Sequence, residues 1–128
     1  MSFLVDTYVF LWFETGSARL SRRARTLIED VNQAAYLSAA SFWEIALKRR
    51  AGKLRFEGSA RSAAAAAGLL ELDIDAADAE TADALDWEHR DPFDRMLVAH
   101  CLNRDLTLIT ADARFRARSD IAVMWAAP

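Results

Sequence analysis

Cysteine is nearly absent from this 128-residue chain, with Cys101 its only copy. One thiol cannot close an internal disulfide, and no cysteine–histidine spacing of a zinc site is present. Such usage fits a reducing compartment and predicts a cytoplasmic protein. No apolar run reaches the roughly 18–20 residues that a membrane span requires. The first residues, "MSFLVDTYVFLW", lack a basic leader and are interrupted by Asp6, so they do not read as a signal peptide. Excess positive charge is missing as well, the formal net charge being −3. A nucleic-acid partner would therefore need local basic patches, or metal ions that turn an acidic pocket into a phosphate site. Nor is there a Gly-rich phosphate loop, a serine elbow or an internal repeat.

What the chain does have is apolar content, 53% of its residues, enough for one domain with a real core over residues 1–128. Short apolar runs at 2–6, 35–39, 69–74, 106–110 and 121–125 read as strands. Most are almost continuously apolar, as strands of a parallel sheet covered on both faces are. Helical patterns fall between them at 7–13, 21–31, 41–51, 60–67, 76–85 and 92–104. This alternation predicts a single α/β sandwich around a central parallel sheet.

Four acids occupy equivalent places in that pattern. Asp6 ends the first strand, and Asp112 lies just beyond "LTLIT". Glu44 is expected in the first turn of the helix after "AYLSA", and Asp94 in the first turn of the helix opened by Asp91-Pro92. In a parallel sheet these positions share the edge where α/β proteins bind ligands. Each acid also has an ordinary reading. Asp6 and Asp112 could cap the helices that follow, Ser41-x-x-Glu44 has the form of a capping box, and Glu44 pairs with Lys48 at i,i+4. Asp91 with Pro92 is a normal helix start. Taken together the acids ask for more. Two carboxylates at ~4 Å repel by about 4 kcal/mol at an effective dielectric near 20, so a cluster raises its own pKa values or recruits cations. Oxygen-only donors suit Mg²⁺ or Mn²⁺ rather than zinc.

The blocks "LVDTYVFLW", "LSAASFWEIALKRRAGKL", "HRDPFDRMLVAH" and "LTLITADARF", in this order and spacing, resemble a PIN-domain protein of the VapC toxin type over residues 3–125. The resemblance implies a three-layer α/β/α sandwich and a ribonuclease site holding one or two Mg²⁺ or Mn²⁺ ions. Matched block by block, the metal-binding and catalytic acids are Asp6, Glu44, Asp94 and Asp112. Asp91 becomes a cap and supporting group, and Thr110 supplies the hydroxyl before the last acid. Tyr8 stands where the first block of the family commonly has histidine. Cleavage would leave a 5′-phosphate and a 3′-hydroxyl. The resemblance further implies an RNA substrate, a homodimer and a small VapB-type antitoxin, for which "YVFLWF" and "FWEIAL" are candidate groove walls.

Basic residues gather at Lys48–Arg55, Arg19–Arg25 and Arg114–Arg118. Lys48, which shares a helix face with Glu44, and Arg95, beside Asp94, are the expected substrate contacts. His89 and His100 are read as non-catalytic, since hydrolysis assisted by a metal does not require them. Trp12 and Phe13 are expected on a surface that a partner covers. Two other functions compete. A non-catalytic PIN-fold binding module would be favoured by loss of the site acids, which are all present. A receiver-like phosphoacceptor would need an adjacent acid pair after the first strand and a late lysine, but Asp6 stands alone and no lysine follows Lys53.

Overall fold

The computed structural model describes residues 1–128 and contains five strands: β1 (Ser2–Val5), β2 (Ala34–Ser38), β3 (Leu70–Leu72), β4 (Thr107–Thr110) and β5 (Ala122–Trp125). They form one sheet in the order β3-β2-β1-β4-β5, parallel at every pairing. Seven helices connect them: α1 (Thr7–Thr15), α2 (Arg22–Glu29), α3 (Ala39–Arg50), α4 (Ala60–Ala66), α5 (Ala76–Ala84), α6 (Pro92–Arg104) and α7 (Ala113–Arg116).

The strands alternate between two cores, as the period of two requires. Phe3 and Val5 of β1, with Ile109 of β4, face the larger core, which α1 to α4 complete through Phe10, Ile28, Ile45 and Ala64. Leu4 and Leu108 face the other core, with Leu97, Val98 and Cys101 of α6 and Phe115 of α7. Helices thus cover both faces, and the expected three-layer α/β/α sandwich is the fold found. Leu4, Val5, Leu37, Leu108 and Ile109 are wholly buried. Each such side chain contributes about 1.5–3 kcal/mol by leaving water.

Three local details depart from the sequence reading. Helix α3 starts at Ala39, because β2 runs into it with no loop and Ser38 Oγ caps it by accepting from Ala40 N at 3.0 Å. The expected Ser41–Glu44 capping box does not form. Ser41 is buried and accepts from Thr7 Oγ1 at 2.8 Å, and Glu44 stands in the second turn. Strand β3 is shorter than 69–74, since Asp75 already opens α5 in a reciprocal capping box with Asp78. The one-turn helix α7 falls outside the expected helical ranges, but it is the short helix after Asp112, which caps it as that residue's ordinary reading allowed.

Candidate active site

β1 and β4 are neighbours at the middle of the sheet, so Asp6 and Asp112 emerge side by side at its carboxyl edge. Helices α3 and α6 bring Glu44 and Asp94 to the same place. All four acids line one cavity of about 460 Å³, together with Asp91, Lys48, Arg114, Tyr8 and Trp12. The one set of three acidic or histidine donors lying mutually within 4.8 Å is His89, Asp91 and Asp94.

Hydrogen bonding separates the ordinary roles from the others. Asp91 is a cap: its Oδ1 accepts from Phe93 N at 2.9 Å and Asp94 N at 3.1 Å. Asp112 caps α7 through Arg114 N at 2.9 Å and also holds the Arg114 side chain, with Nη2 2.7 Å from Oδ2. Asp6 occupies a cap position but makes no side-chain cap bond. Its carboxylate is 6% exposed and accepts only from Thr110 Oγ1. Burial lifts the Asp6 pKa to about 7. Thr110 opposes the rise, and the charges of Asp94, Glu44 and Asp112 add to it. Asp94, also buried, rises to about 6 chiefly by desolvation, with His89 opposing. Asp112 moves down instead, because Arg114 bonds its charged form.

Lys48 fills the expected i,i+4 position, with Nζ 2.6 Å from Glu44 Oε2. Its ammonium also donates to Tyr8 Oη at 2.8 Å, so the residue that departs from the resembled block steadies this lysine. Burial works against the Lys48 charge, yet the two bonds outweigh it and raise the pKa above its ordinary value.

Arg95 is a correction. Its guanidinium donates to the carbonyls of Ala82, Asp83, Leu85, Trp87 and His89 at 2.9–3.2 Å. An arginine has five N–H donors, and five carbonyls take them up. Arg95 therefore ties down the end of α5 and the segment that leads to α6, instead of lining the cavity as a substrate contact.

His89 is the residue the sequence reading passed over. Its Nε2 lies 2.6 Å from Asp94 Oδ2, and Arg114 Nη1 is 3.4 Å from its Nδ1. Both contacts fit the tautomer with the proton on Nε2, which turns one Asp94 oxygen toward the imidazole and fixes the carboxylate. The available signal was its place in the same "HRDPFDR" block, five residues before Asp94. His100 lies elsewhere, fully buried, with Nε2 2.7 Å from Ser38 Oγ. Trp12 and Phe13 are half-buried against the larger core. Trp43, by contrast, is 60% exposed.

The PIN-domain family model matches residues 3–121. The chain belongs to the PIN-domain family. Solved structures agree with that membership. A VapBC2 complex from Rickettsia felis bound to a promoter DNA fragment aligns over 97% of this chain and 98% of its own, with TM-score 0.70 and 14% identity. A DNA-bound VapBC from Salmonella typhimurium covers 97% of each chain, with TM-score 0.69 and 17% identity. A toxin–antitoxin complex from Klebsiella pneumoniae covers 96% of each, with TM-score 0.68 and 19% identity. At these identities the likeness speaks for the fold. No curated protein sequence matches the chain. The PIN fold places the four acids at the carboxyl edge of its sheet, and none of its helices is long and apolar enough to cross a membrane.

Proposed function

We propose that this PIN domain is a Mg²⁺- or Mn²⁺-dependent endoribonuclease and the toxin of a two-component toxin–antitoxin pair. One observation carries the reading: the buried carboxylate of Asp6 has no cation of its own and shares a cavity with Glu44, Asp94 and Asp112. Its donors are all oxygens, the set that a hard divalent ion takes. Asp6, Glu44 and Asp94 would hold the ion, with Asp112 direct or through water. Bound there, one or two such ions supply an electrophile for the phosphodiester and ease the ionisation of the attacking water. Thr110 and His89 would keep Asp6 and Asp94 in place through their hydrogen bonds. Hydrolysis is read as leaving a 5′-phosphate and a 3′-hydroxyl.

The partner reading draws on the structural neighbours, which are toxin–antitoxin complexes. It names a small VapB-type antitoxin. It also includes a homodimer, for which exposed Trp43 and Leu47, one turn apart on α3, supply apolar surface. The test is cleavage of a mixed cellular RNA pool by antitoxin-free protein, with Mn²⁺ or Mg²⁺ against EDTA, beside Asp94→Asn. Metal-dependent cleavage that the substitution abolishes is expected. Cleavage surviving both EDTA and Asp94→Asn would end the metal reading, and folded protein leaving all RNA intact would point to a binding role.

A further inference from the structure

Two basic side chains on the cavity wall are each bonded to a different site acid. Lys48, on α3, holds Glu44, and Arg114, on α7, holds Asp112. The other two acids, Asp6 and Asp94, have no lysine or arginine bonded to them. Their side-chain partners are Thr110 and His89. Without a bound ion, the site is thus partly neutralised from within, at its two flanks.

These flanking pairs differ from a fixed structural ion pair. Arg104 shows the fixed kind, bonded to a wholly buried Asp78 through Nη1 at 2.6 Å and Nη2 at 2.9 Å. Lys48 and Arg114 instead border the open cavity of the acid cluster, Arg114 with its side chain 59% exposed. Each also keeps donor capacity. Lys48 spends two of its three N–H groups, on Glu44 and Tyr8. Arg114 commits Nε and Nη2 to Asp112, while Nη1 has only a distant contact to His89 Nδ1 at 3.4 Å. Lys48 has a second resting place besides its acid. Its Nζ bonds the Tyr8 hydroxyl and lies 4.9 Å from the centre of that ring, so the ammonium stays at the rim even without Glu44.

An ammonium and a divalent cation held on the one carboxylate of Glu44 would repel each other strongly. The same holds for Arg114 at Asp112. We propose that Lys48 and Arg114 are exchangeable counter-ions. Each neutralises its carboxylate in the ion-free protein, and each passes to a phosphate of the RNA backbone when a divalent cation occupies that carboxylate. The inference rests on the metal and RNA reading above and extends it. Two phosphates of the strand are gripped from opposite flanks of the acid cluster, and the grip becomes available only with the ion in place. Tyr8 acts as a positioning residue that keeps the freed ammonium of Lys48 at the rim.

The test compares wild type, Lys48→Met, Arg114→Met and Lys48→Arg in two measurements. The first is Mn²⁺ affinity by calorimetry or electron paramagnetic resonance. The second is affinity for a short labelled oligoribonucleotide by anisotropy, in EDTA and in Ca²⁺, with the strand checked intact afterwards. Lys48→Met and Arg114→Met are each expected to bind Mn²⁺ about three- to tenfold more tightly, because a competing cation is gone. In Ca²⁺ they bind RNA about tenfold more weakly, with the salt dependence falling by about one unit per cation removed. In EDTA the loss is much smaller, since those cations are already engaged. Lys48→Arg stays near wild type in both. Mn²⁺ affinity unchanged or weakened in the Met variants overturns the exchange, as does an RNA loss equal with and without the ion. Wild type failing to bind Mn²⁺ ends the metal reading and this inference together. Mn²⁺ binding without any RNA cleavage ends only the nuclease reading and leaves the exchange to be judged on the affinities.

Discussion

Thr110 Oγ1 donates to Asp6 Oδ2 at 2.7 Å, a bond between residues 104 positions apart. The same hydroxyl oxygen accepts from Asp112 N at 3.1 Å. One side chain at the end of β4 therefore fixes the carboxylate ending the neighbouring strand and the backbone of the acid that follows. Two walls of the cavity are set by a single hydroxyl.

Thr110→Val keeps the shape and removes both bonds. Its expected effect is a drop of about 10–100-fold in Mn²⁺ affinity or RNA cleavage, the range typical of groups that orient ligands. Thr110→Ser should retain most of both. Circular dichroism separates this from loss of fold, and a Val variant with wild-type Mn²⁺ affinity would show that Asp6 needs no such support.

His89→Ala leaves Asp94 in place without its imidazole partner. Cleavage at saturating Mn²⁺ is expected to fall by about 10–100-fold, less than in Asp94→Asn, and His89→Gln should recover part of it. The comparison of initial rates decides this. An unchanged rate in His89→Ala would confine His89 to packing against Trp87, its edge-to-face neighbour at 4.9 Å.

Arg95→Lys tests a structural role. An ammonium cannot span five carbonyls, so urea denaturation should show a loss of about 3 kcal/mol. RNA affinity of the folded variant should stay within about twofold of wild type. A selective RNA defect with normal stability would restore Arg95 as a substrate contact.

His100 and Asp78 should each contribute less to stability in acid, at two different stages. His100 is buried beside Ser38, Arg104 and Asp78, and burial above all holds its pKa below the ordinary value, with Arg104 adding to this and Asp78 and Asp75 opposing. As pH falls below about 6.5, the unfolded chain takes up this proton first, and this contribution declines. Asp78 is affected in the same direction. Burial raises its pKa, but bonds from Arg104, Asn103 and the Asp75 backbone, with the nearby His100 charge, outweigh that and hold it well below the ordinary carboxylate range. Its stabilisation is present above about pH 4 and is lost as pH drops further. Between pH 7 and 5.5 the raised pKa values of Asp6 and Asp94 act in the opposite direction. The His100 contribution is therefore read as the difference in urea midpoint between wild type and His100→Gln, which should move against wild type as pH falls from 7 to 5.5. A difference that moves in favour of wild type over that range would contradict the assignment.

Much of this arrangement was legible in residue order. The apolar runs located every strand, and Asp91-Pro92 located the start of α6. The i,i+4 spacing of Glu44 and Lys48 anticipated their pair. What escaped depends on contacts between distant segments. Ser38 rather than Ser41 caps α3, because β2 has no loop after it. The direction of Arg95 is set by a chain reversal after α5 that leaves five carbonyls facing one point. His89 gains its role only because α6 turns Asp94 back onto the loop that precedes it. Spacing along one helix can be read locally, whereas a guanidinium or imidazole goes wherever unpaired acceptors happen to converge.

The strand order also makes the site wait on the fourth strand. β1 is made first, yet its partner on the site side is β4, and Asp6 meets Thr110 only across that junction. Until residues up to 112 have left the ribosome, β1 has one flank without a partner and Asp6 has no donor for its carboxylate. A nascent chain of this topology carries Asp6 across the 104 positions that separate it from Thr110 before its hydroxyl donor exists. The connectivity works as a timer: the cavity cannot close while its last wall is still being made.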